Sequence, residues 1–256
     1  MSLVPYKQNP EEERKILEEL LKETPDDPDS VEFRAEKISG GYRISGVQQG
    51  KNTSIYDLST KLLPSETQEQ HAKHTANAKS DQYTAASAPL YHTIFKTLYK
   101  NKDGQYKEVI EEIRVFLKEV FDKYWVNTLS KVIYNPVGRR DRVLHNVGQK
   151  DEYPVDEDII GPQEYISKNP ARASNACKAV LEDSNLQEIN DIYKWITGKD
   201  TFLWRFTKKP ENKEERVVAL GVDDDVFSIN TDGGINDDRP VLGVRRAKNF
   251  SIGNKG

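Results

Sequence analysis

The strongest constraint on the fold is a long stretch near the C-terminus in which the composition changes abruptly. Residues 217–244 contain no Lys, Glu, Gln, Met or Trp, and they are rich in Asp, Gly and Asn. The ends of the stretch, residues 216–218 and 242–245, predict β-strands that enter a core. The residues between those ends predict loops that are interrupted by one short strand.

The missing residue types have two explanations, which the sequence leaves open. Tight turns favour Asp, Asn and Gly, so ordinary loop chemistry would produce such a stretch. Alternatively, randomised adenines in AAC-type codons would reach Asn, Asp, Ser, Thr, Ile, Val, Gly, Ala, Leu, Phe, Pro and Arg, but none of the missing types. Residues 217–244 obey that restriction throughout.

The residues around the stretch resemble a known family. They are DTFLWR at residues 200–205, ERVV at residues 215–218 and LGVRR at residues 242–246. This frame resembles the variable proteins of diversity-generating retroelements, most of all the archaeal members. In that family a reverse transcriptase copies a template repeat with errors at adenines, and the copy replaces the variable repeat.

The resemblance implies a fold. Variable proteins of this kind display their variable region on a C-type lectin fold, of the branch related to formylglycine-generating enzymes. The expected class is therefore α+β, with helices that flank a small antiparallel sheet, long loops over one end, and an N-terminal helix and hairpin elaboration. We expect residues 1–85 to form that elaboration with a polar segment, and residues 86–256 to form the lectin-like domain.

The resemblance also implies a function, which is ligand binding through a hypervariable, retroelement-diversified surface without catalysis or a cofactor. Arg216 and residues 242–245 would be fixed frame, since loops on a rigid scaffold tolerate substitution and supply specificity. We expect the variable side chains to lie in loops and to carry little packing load. The ligand-binding candidates are Ala219, Leu220, Gly221, Asp223, Asp224, Asp225, Phe227, Ser228, Asn230, Thr231, Asp232, Ile235, Asn236, Asp237 and Asp238.

The chemistry of the stretch bears on its partner. It holds six aspartates and one arginine, which favours a basic or polar partner, either an unknown protein or a surface ligand. Phe227 and Ile235 could supply apolar anchors.

Three other functions remain as alternatives. In a calcium-dependent carbohydrate-binding protein, residues 223–225 and Asp232 would hold the cation, although the EF-hand spacing is not met because no glutamate closes the loop. An enzyme related to formylglycine-generating proteins is disfavoured because Cys177 is the only cysteine and the copper-binding pair of that family is absent. In a purely structural interaction protein, the acidic loops would be only a solvated surface.

Composition excludes several broad classes. The net charge is −4 with Lys and Arg spread along the chain, which argues against binding to nucleic acid. No apolar run approaches the roughly 18 residues of a membrane span, and the N-terminus has no secretory h-region. A lone cysteine forms no internal disulfide. We expect a cytoplasmic protein, with surface display by another route left open, and the oligomeric state stays undefined.

Periodicity predicts the remaining elements. A helix begins near Asn9, and a hairpin joins strands at residues 31–38 and 42–47. Residues 48–88 predict either a surface helix after Pro64 or a long polar excursion. Further helices are predicted at residues 89–99, 106–132, 170–183 and 186–197, the last with Asn185 as its N-cap and Gly198 as its C-cap. Strands are predicted at residues 202–206, 217–218, 226–229 and 241–244. Trp195 and Trp204 are predicted to anchor the core.

A few polar residues outside the stretch could carry chemistry. His71 and His74 have the spacing of a metal-binding pair, but no third ligand is evident, which favours a solvated helix face. His145 has no serine or cysteine nucleophile motif beside it, which favours a structural role. Arg139, Arg140 and Arg142 form either an anion site or ion pairs, and the neighbouring Asp favours ion pairs.

Overall fold

The computed structural model describes residues 31–168 and 170–247, and the helix predicted to begin near Asn9 lies outside these ranges. The described residues form a mixed α+β fold with five helices and eleven strands in two sheets. The predicted α+β class is therefore confirmed. The expectation of a single small sheet is wrong, because one sheet has four strands and the other has seven.

The four-stranded sheet is antiparallel and joins the two ends of the described chain. Its order is β1 (Arg34–Ile38), β2 (Gly41–Gln49), β3 (Asn52–Glu66) and β11 (Arg239–Arg246). The hairpin predicted at residues 31–47 is confirmed. The alternative of a long polar excursion is wrong, since β3 and the helix at residues 68–77 together occupy most of residues 48–88.

Two features explain why β3 reads as a polar segment and where it ends. Asp57 in β3 is fully buried, and it accepts hydrogen bonds from both Arg43 and Arg245. Helix α1 (Gln68–Asn77) follows β3 and begins with a capping box at Thr67 and Gln70, which confirms the helix predicted after Pro64.

The seven-stranded sheet holds most of the C-terminal stretch. Its order is β6, β5, β4, β9, β10, β8 and β7, and all neighbours are antiparallel except β8 and β10. The bounds are β4 (Val126–Tyr134), β5 (Arg142–His145), β6 (Tyr153–Asp156), β7 (Glu164–Tyr165), β8 (Thr201–Trp204), β9 (Glu214–Asp223) and β10 (Val226–Gly233). The four predicted strands from residue 202 onward are confirmed: β8 ends two residues earlier than predicted, and β9, β10 and β11 extend further than predicted.

Helices pack against one face of this sheet. They are α2 (Ala88–Lys100), α3 (Lys107–Lys123), α4 (Pro170–Leu181) and α5 (Leu186–Thr197). The predicted cap at Asn185 accepts from the Glu188 amide, and Gly198 ends α5 with a φ of 82°. The helices predicted at residues 89–99, 170–183 and 186–197 are confirmed.

The helix predicted at residues 106–132 is wrong in its second part. It ends at Lys123, and β4 begins at Val126. Valine, threonine and isoleucine are frequent in β4, and such β-branched residues favour strands. Apolar residues of β4 fall at positions that continue the helical spacing, so periodicity alone does not separate the helix from the strand.

Candidate functional site

The C-terminal stretch forms strands that present alternate side chains to opposite faces of the seven-stranded sheet. Phe227 stacks on Tyr193 of α5 with ring centroids 4.2 Å apart, and its edge contacts Phe121 of α3 at 5.2 Å. Phe227 therefore lies on the face that the helices cover, which we call the inner face. The opposite side of β4, β7, β8, β9 and β10 is the outer face.

Strand register assigns five candidates to the outer face. Ser228 lies opposite Gly221, Asn230 opposite Ala219, and Val226 opposite Asp223. These positions alternate with those of Phe227, so their side chains point away from the helices. The five candidates on the outer face are Ala219, Gly221, Asp223, Ser228 and Asn230. Three of them, Ala219, Gly221 and Ser228, are buried, and Asp223 is exposed.

Aromatic side chains border these candidates on the side of β8. Phe202 is in register with Ser228, and Trp204 with Asn230. The two rings lie 6.1 Å apart, and Tyr165 of β7 contacts Phe202 at 5.4 Å. Trp204 is 37% exposed, so the prediction that it anchors the core is wrong. It belongs to an outer-face aromatic row.

A second aromatic border lies on the side of β4. A Cβ at Gly221 would lie 3.1 Å from two atoms of the Trp125 indole, so the ring covers this glycine. The Arg239 guanidinium lies 5.7 Å from the centre of the same ring, and Arg239 pairs with Asp237 at 2.6 Å. Tyr124 beside it is 49% exposed.

Three buried polar atoms on or beside the outer face have no hydrogen-bond partner within the described ranges. They are Asn127 Oδ1, Ser228 Oγ and Arg239 Nη1. Asn127 and Ser228 are each 1% exposed. An unpartnered buried polar group costs free energy, so such groups in a native protein call for an explanation.

The turn at residues 234–238 adjoins the outer face. The Asp237 amide donates to Gly234 O at 3.2 Å, and Asn127 Nδ2 donates to Asp237 O at 3.3 Å. Ile235 and Asn236 form its tip, and Ile235 is 42% exposed. The tip residues line a cavity of about 480 Å³ together with side chains of α1.

The tip of the β9–β10 hairpin is exposed and acidic. Asp223, Asp224 and Asp225 are all exposed, and Asp224 has a φ of 47°. Lys199 donates to the Asp224 carbonyl. Left-handed backbone is unusual for a residue other than glycine, although Asp tolerates it in turns.

Several candidates are packed inside the protein, which corrects the expectation that they lie in loops. Leu220 and Phe227 are fully buried on the inner face. Thr231 is also buried, where its hydroxyl lies 2.6 Å from the Tyr134 hydroxyl and donates to Trp204 O. Phe227 as a binding anchor is therefore wrong, since the strand alternation directs it to the core.

The remaining candidates lie between these extremes. Asp232 is half-buried with a carboxylate oxygen 3.2 Å from Arg216 Nε, and burial raises its pKa. Asp237 is half-buried and Asp238 exposed within the turn.

The aspartates proposed for calcium binding are not together. Asp232 lies six residues along β10 from Val226, which is about 20 Å at the usual strand rise. Residues 223–225 are at the opposite end of that strand. Within the described ranges, no three His, Cys, Asp or Glu residues are grouped so as to hold a metal ion.

The histidine pair has a different role from the one predicted. His71 is buried, and its Nε2 lies 2.9 Å from Arg239 O, so the prediction of a solvated face is wrong for this residue. His74 is exposed and pairs with Glu66 at 2.8 Å. His71 therefore packs α1 against the strand that follows the turn.

His145 is enclosed, which confirms its structural role. Its Nδ1 lies 2.8 Å from Ser130 Oγ, and its Nε2 lies 2.8 Å from Ala179 O. A carbonyl only accepts, so Nε2 carries the proton and Nδ1 accepts from the serine. Burial lowers the pKa of His145. Both side chains are fully buried, so this Ser–His pair does not reach a substrate.

Of the basic cluster, Arg142 forms an ion pair as predicted, while Arg139 and Arg140 are exposed. Arg142 makes two hydrogen bonds to Asp156, at 2.6 and 3.1 Å. Asp141 is buried and pairs with Lys209.

Sequence reasoning missed the outer-face neighbours Trp125, Asn127, Phe202 and Arg239. Trp125 and Asn127 are two residues apart, a spacing that places both on one face of a strand. The helix predicted over residues 106–132 does not place them on one face.

Comparison with known proteins gives no relative: no protein-family model, curated protein or solved structure matches the chain. Across residues 31–168 and 170–247, no helix is both long and apolar enough to cross a membrane.

Proposed function

We propose that the protein binds a ligand through a diversified recognition surface on a C-type-lectin-like scaffold, and that it has no catalytic activity. The observation that carries the proposal is the grouping of five candidates on one face of the sheet, between the two aromatic borders. The part of the proposal that concerns diversification rests on the resemblance to retroelement variable proteins.

The arrangement of the strands supports this proposal. Inner-face residues such as Leu220 and Phe227 pack against the helices, while the alternate residues Asp223 and Asn230 are at least partly exposed and can change at little cost to the core. Aromatic side chains are enriched among residues that dominate binding energy, and Trp204 and Tyr124 are exposed at the borders. In this proposal the inner-face residues stabilise the fold, and the exposed residues of the outer face and its borders bind the ligand.

The charge of the surface indicates the kind of partner. The exposed aspartates at the hairpin tip give one end of this surface a negative charge. Opposite charge on a partner speeds association and selects against acidic surfaces. We propose a protein or surface ligand with a basic or polar face.

Sequencing the gene across a natural population of the source organism tests the proposal. Substitutions should concentrate at the codons of the outer face and the turn, and the codons of Leu220, Phe227 and Thr231 should stay nearly constant. The inner-face codons are a built-in control because they lie within the same stretch. Variation spread evenly over both faces, or no variation, would contradict the proposal.

A further inference from the structure

A second candidate site is a cleft far larger than the cavity beside the turn. It has a volume of about 860 Å³, within the range of small-molecule sites. Its walls are α2 and the tip of the β2–β3 hairpin, and its floor is formed by the loop after β5 and the residues that follow α4. None of its lining residues belongs to the outer face or the turn.

Hydrogen-bonding groups converge on this cleft from all sides. Gln48, Gln49 and Tyr56 lie on the sheet side, and Asn146 and Tyr153 lie at the floor. Thr93, Thr97 and Asn101 follow one another along the α2 wall, where each donates to a carbonyl of the helix and offers its side-chain oxygen as an acceptor. The cleft therefore offers both donors and acceptors, together with tyrosine rings whose faces are apolar.

The charges along the cleft balance. Three cations, Lys96, Lys100 and Arg246, face three carboxylates, Asp151, Glu182 and Asp183. Lys96 bonds to Asp183 and to Glu188 beside the cleft, each at 2.7 Å. A phosphate or polyanion site needs an excess of cationic donors, which this cleft lacks.

Two floor residues hold left-handed backbone without being glycine. Asn146 has a φ of 54° and Glu182 a φ of 58°, and within the described ranges Asp224 is the other such residue. Glu182 directly follows α4, where glycine is the usual residue because it has no Cβ. Strained positions of this kind gather at binding sites.

The strained residues place side chains where a ligand could use them. The Tyr153 hydroxyl donates to Glu182 Oε1 at 2.6 Å, and Asn146 Nδ2 donates to Asp151 Oδ2 at 2.9 Å. Burial, with the Glu182 carboxylate, raises the pKa of Tyr153, so its hydroxyl keeps its proton. A glycine at residue 182 would relieve the backbone but remove the carboxylate.

We infer that this cleft binds a neutral polyhydroxylated molecule, a mono- or disaccharide. Hydroxyl groups both donate and accept, as the cleft requires, and a neutral ligand matches its balanced charge. The Glu182 and Asp151 carboxylates would accept from ligand hydroxyls, and the amides of Gln48 and Gln49 would do either. The inference does not depend on the proposed function or on calcium.

An NMR titration of the full chain with a panel of neutral mono- and disaccharides tests this inference. We expect at least one sugar to shift amide resonances around the cleft. Glu182→Gly should bind that sugar about tenfold more weakly or worse, since a hydrogen bond to a charged group is lost, while its melting temperature stays equal to the wild type or rises. Tyr153→Phe, which keeps the backbone unchanged, should also bind more weakly.

Asp224→Gly is the matched control, because it relieves the same kind of backbone strain at the distant hairpin tip. It should bind the sugar as the wild type does. The inference is overturned if no sugar shifts the cleft resonances, if inorganic phosphate or a free amino acid binds there instead, or if Glu182→Gly and Tyr153→Phe both bind as tightly as the wild type.

Discussion

The inner and outer faces of β9 and β10 are made from alternate residues of the same two strands, yet they differ in chemistry. The inner face carries Leu220, Phe227 and Ile229, all fully buried against the helices. The outer face carries Gly221, Ser228 and Asn230, which are small or polar. The same strands therefore contribute apolar side chains to the helix-covered core and small or polar side chains to the opposite face, where Gly221 and Ser228 are also buried.

The two faces also differ in how their buried polar groups are satisfied. On the inner face, the Thr231 hydroxyl has two hydrogen-bond partners. On the outer face, Ser228 Oγ and Asn127 Oδ1 have none within the described ranges. Thr201 Oγ1 is an exception on the inner face, because it also has no hydrogen-bond partner within the described ranges. The unpartnered groups of the outer face lie among the binding candidates, whereas the Thr231 hydroxyl is satisfied by the fold itself.

The largest expected effect comes from a truncation on the inner face. Phe227→Ala removes a ring packed between Tyr193 and Phe121, and we expect a loss of about 3 to 5 kcal/mol in the free energy of unfolding. Asp223→Ala, on the exposed end of the outer face, should change it by less than about 0.5 kcal/mol. Urea unfolding measures both, and similar losses would erase the distinction between the faces.

The sequence was sufficient for much of the fold around these faces. Helix caps at Asn185 and Gly198 and the turn at Gly40 are local signals, and each is placed as predicted. The strands at residues 217–218, 226–229 and 241–244 were also predictable because they are rich in β-branched residues.

The site was harder to predict, since it depends on contacts between distant residues. The sequence predicts a strand at residues 226–229 but not which of its faces meets the helices, so it does not separate Phe227 as a core residue from a binding anchor. Asp57 read as polar surface because its partners Arg43 and Arg245 are distant in the sequence. The row of Phe202, Trp204 and Ser228 exists only through the pairing of β8 with β10, which no local pattern reveals.

A pair of hydroxyl deletions sharpens the comparison of polar groups. Thr231→Val keeps the shape but leaves the buried Tyr134 hydroxyl without its partner, so we expect a loss of about 1 to 3 kcal/mol. Ser228→Ala removes a hydroxyl that has no partner within the described ranges, so stability should stay constant or rise slightly. Thermal unfolding of the two variants gives the signs. A clear loss for Ser228→Ala would mean that its hydroxyl is satisfied and the outer face is complete.

The smallest expected effect comes from adding one methyl group at two strand glycines. In Gly243→Ala, which alters the fixed frame, the new Cβ would lie 3.0 Å from Tyr83 Cβ and 3.1 Å from Ser59 Cβ. Both atoms are attached directly to backbone, so we expect a loss of about 1 kcal/mol.

In Gly221→Ala the new Cβ meets the Trp125 ring and the Tyr124 carbonyl, each at 3.1 Å. Trp125 is half-buried on the outer face and can tilt, although the Tyr124 carbonyl belongs to the backbone. Replacing a strand glycine returns about 0.5 kcal/mol, so the net loss should be smaller than that of Gly243→Ala. The indole N–H resonance of Trp125 should move while that of Trp195 stays in place. If Gly221→Ala were as costly as Gly243→Ala, the outer face would be packed like the frame and unsuited to variation.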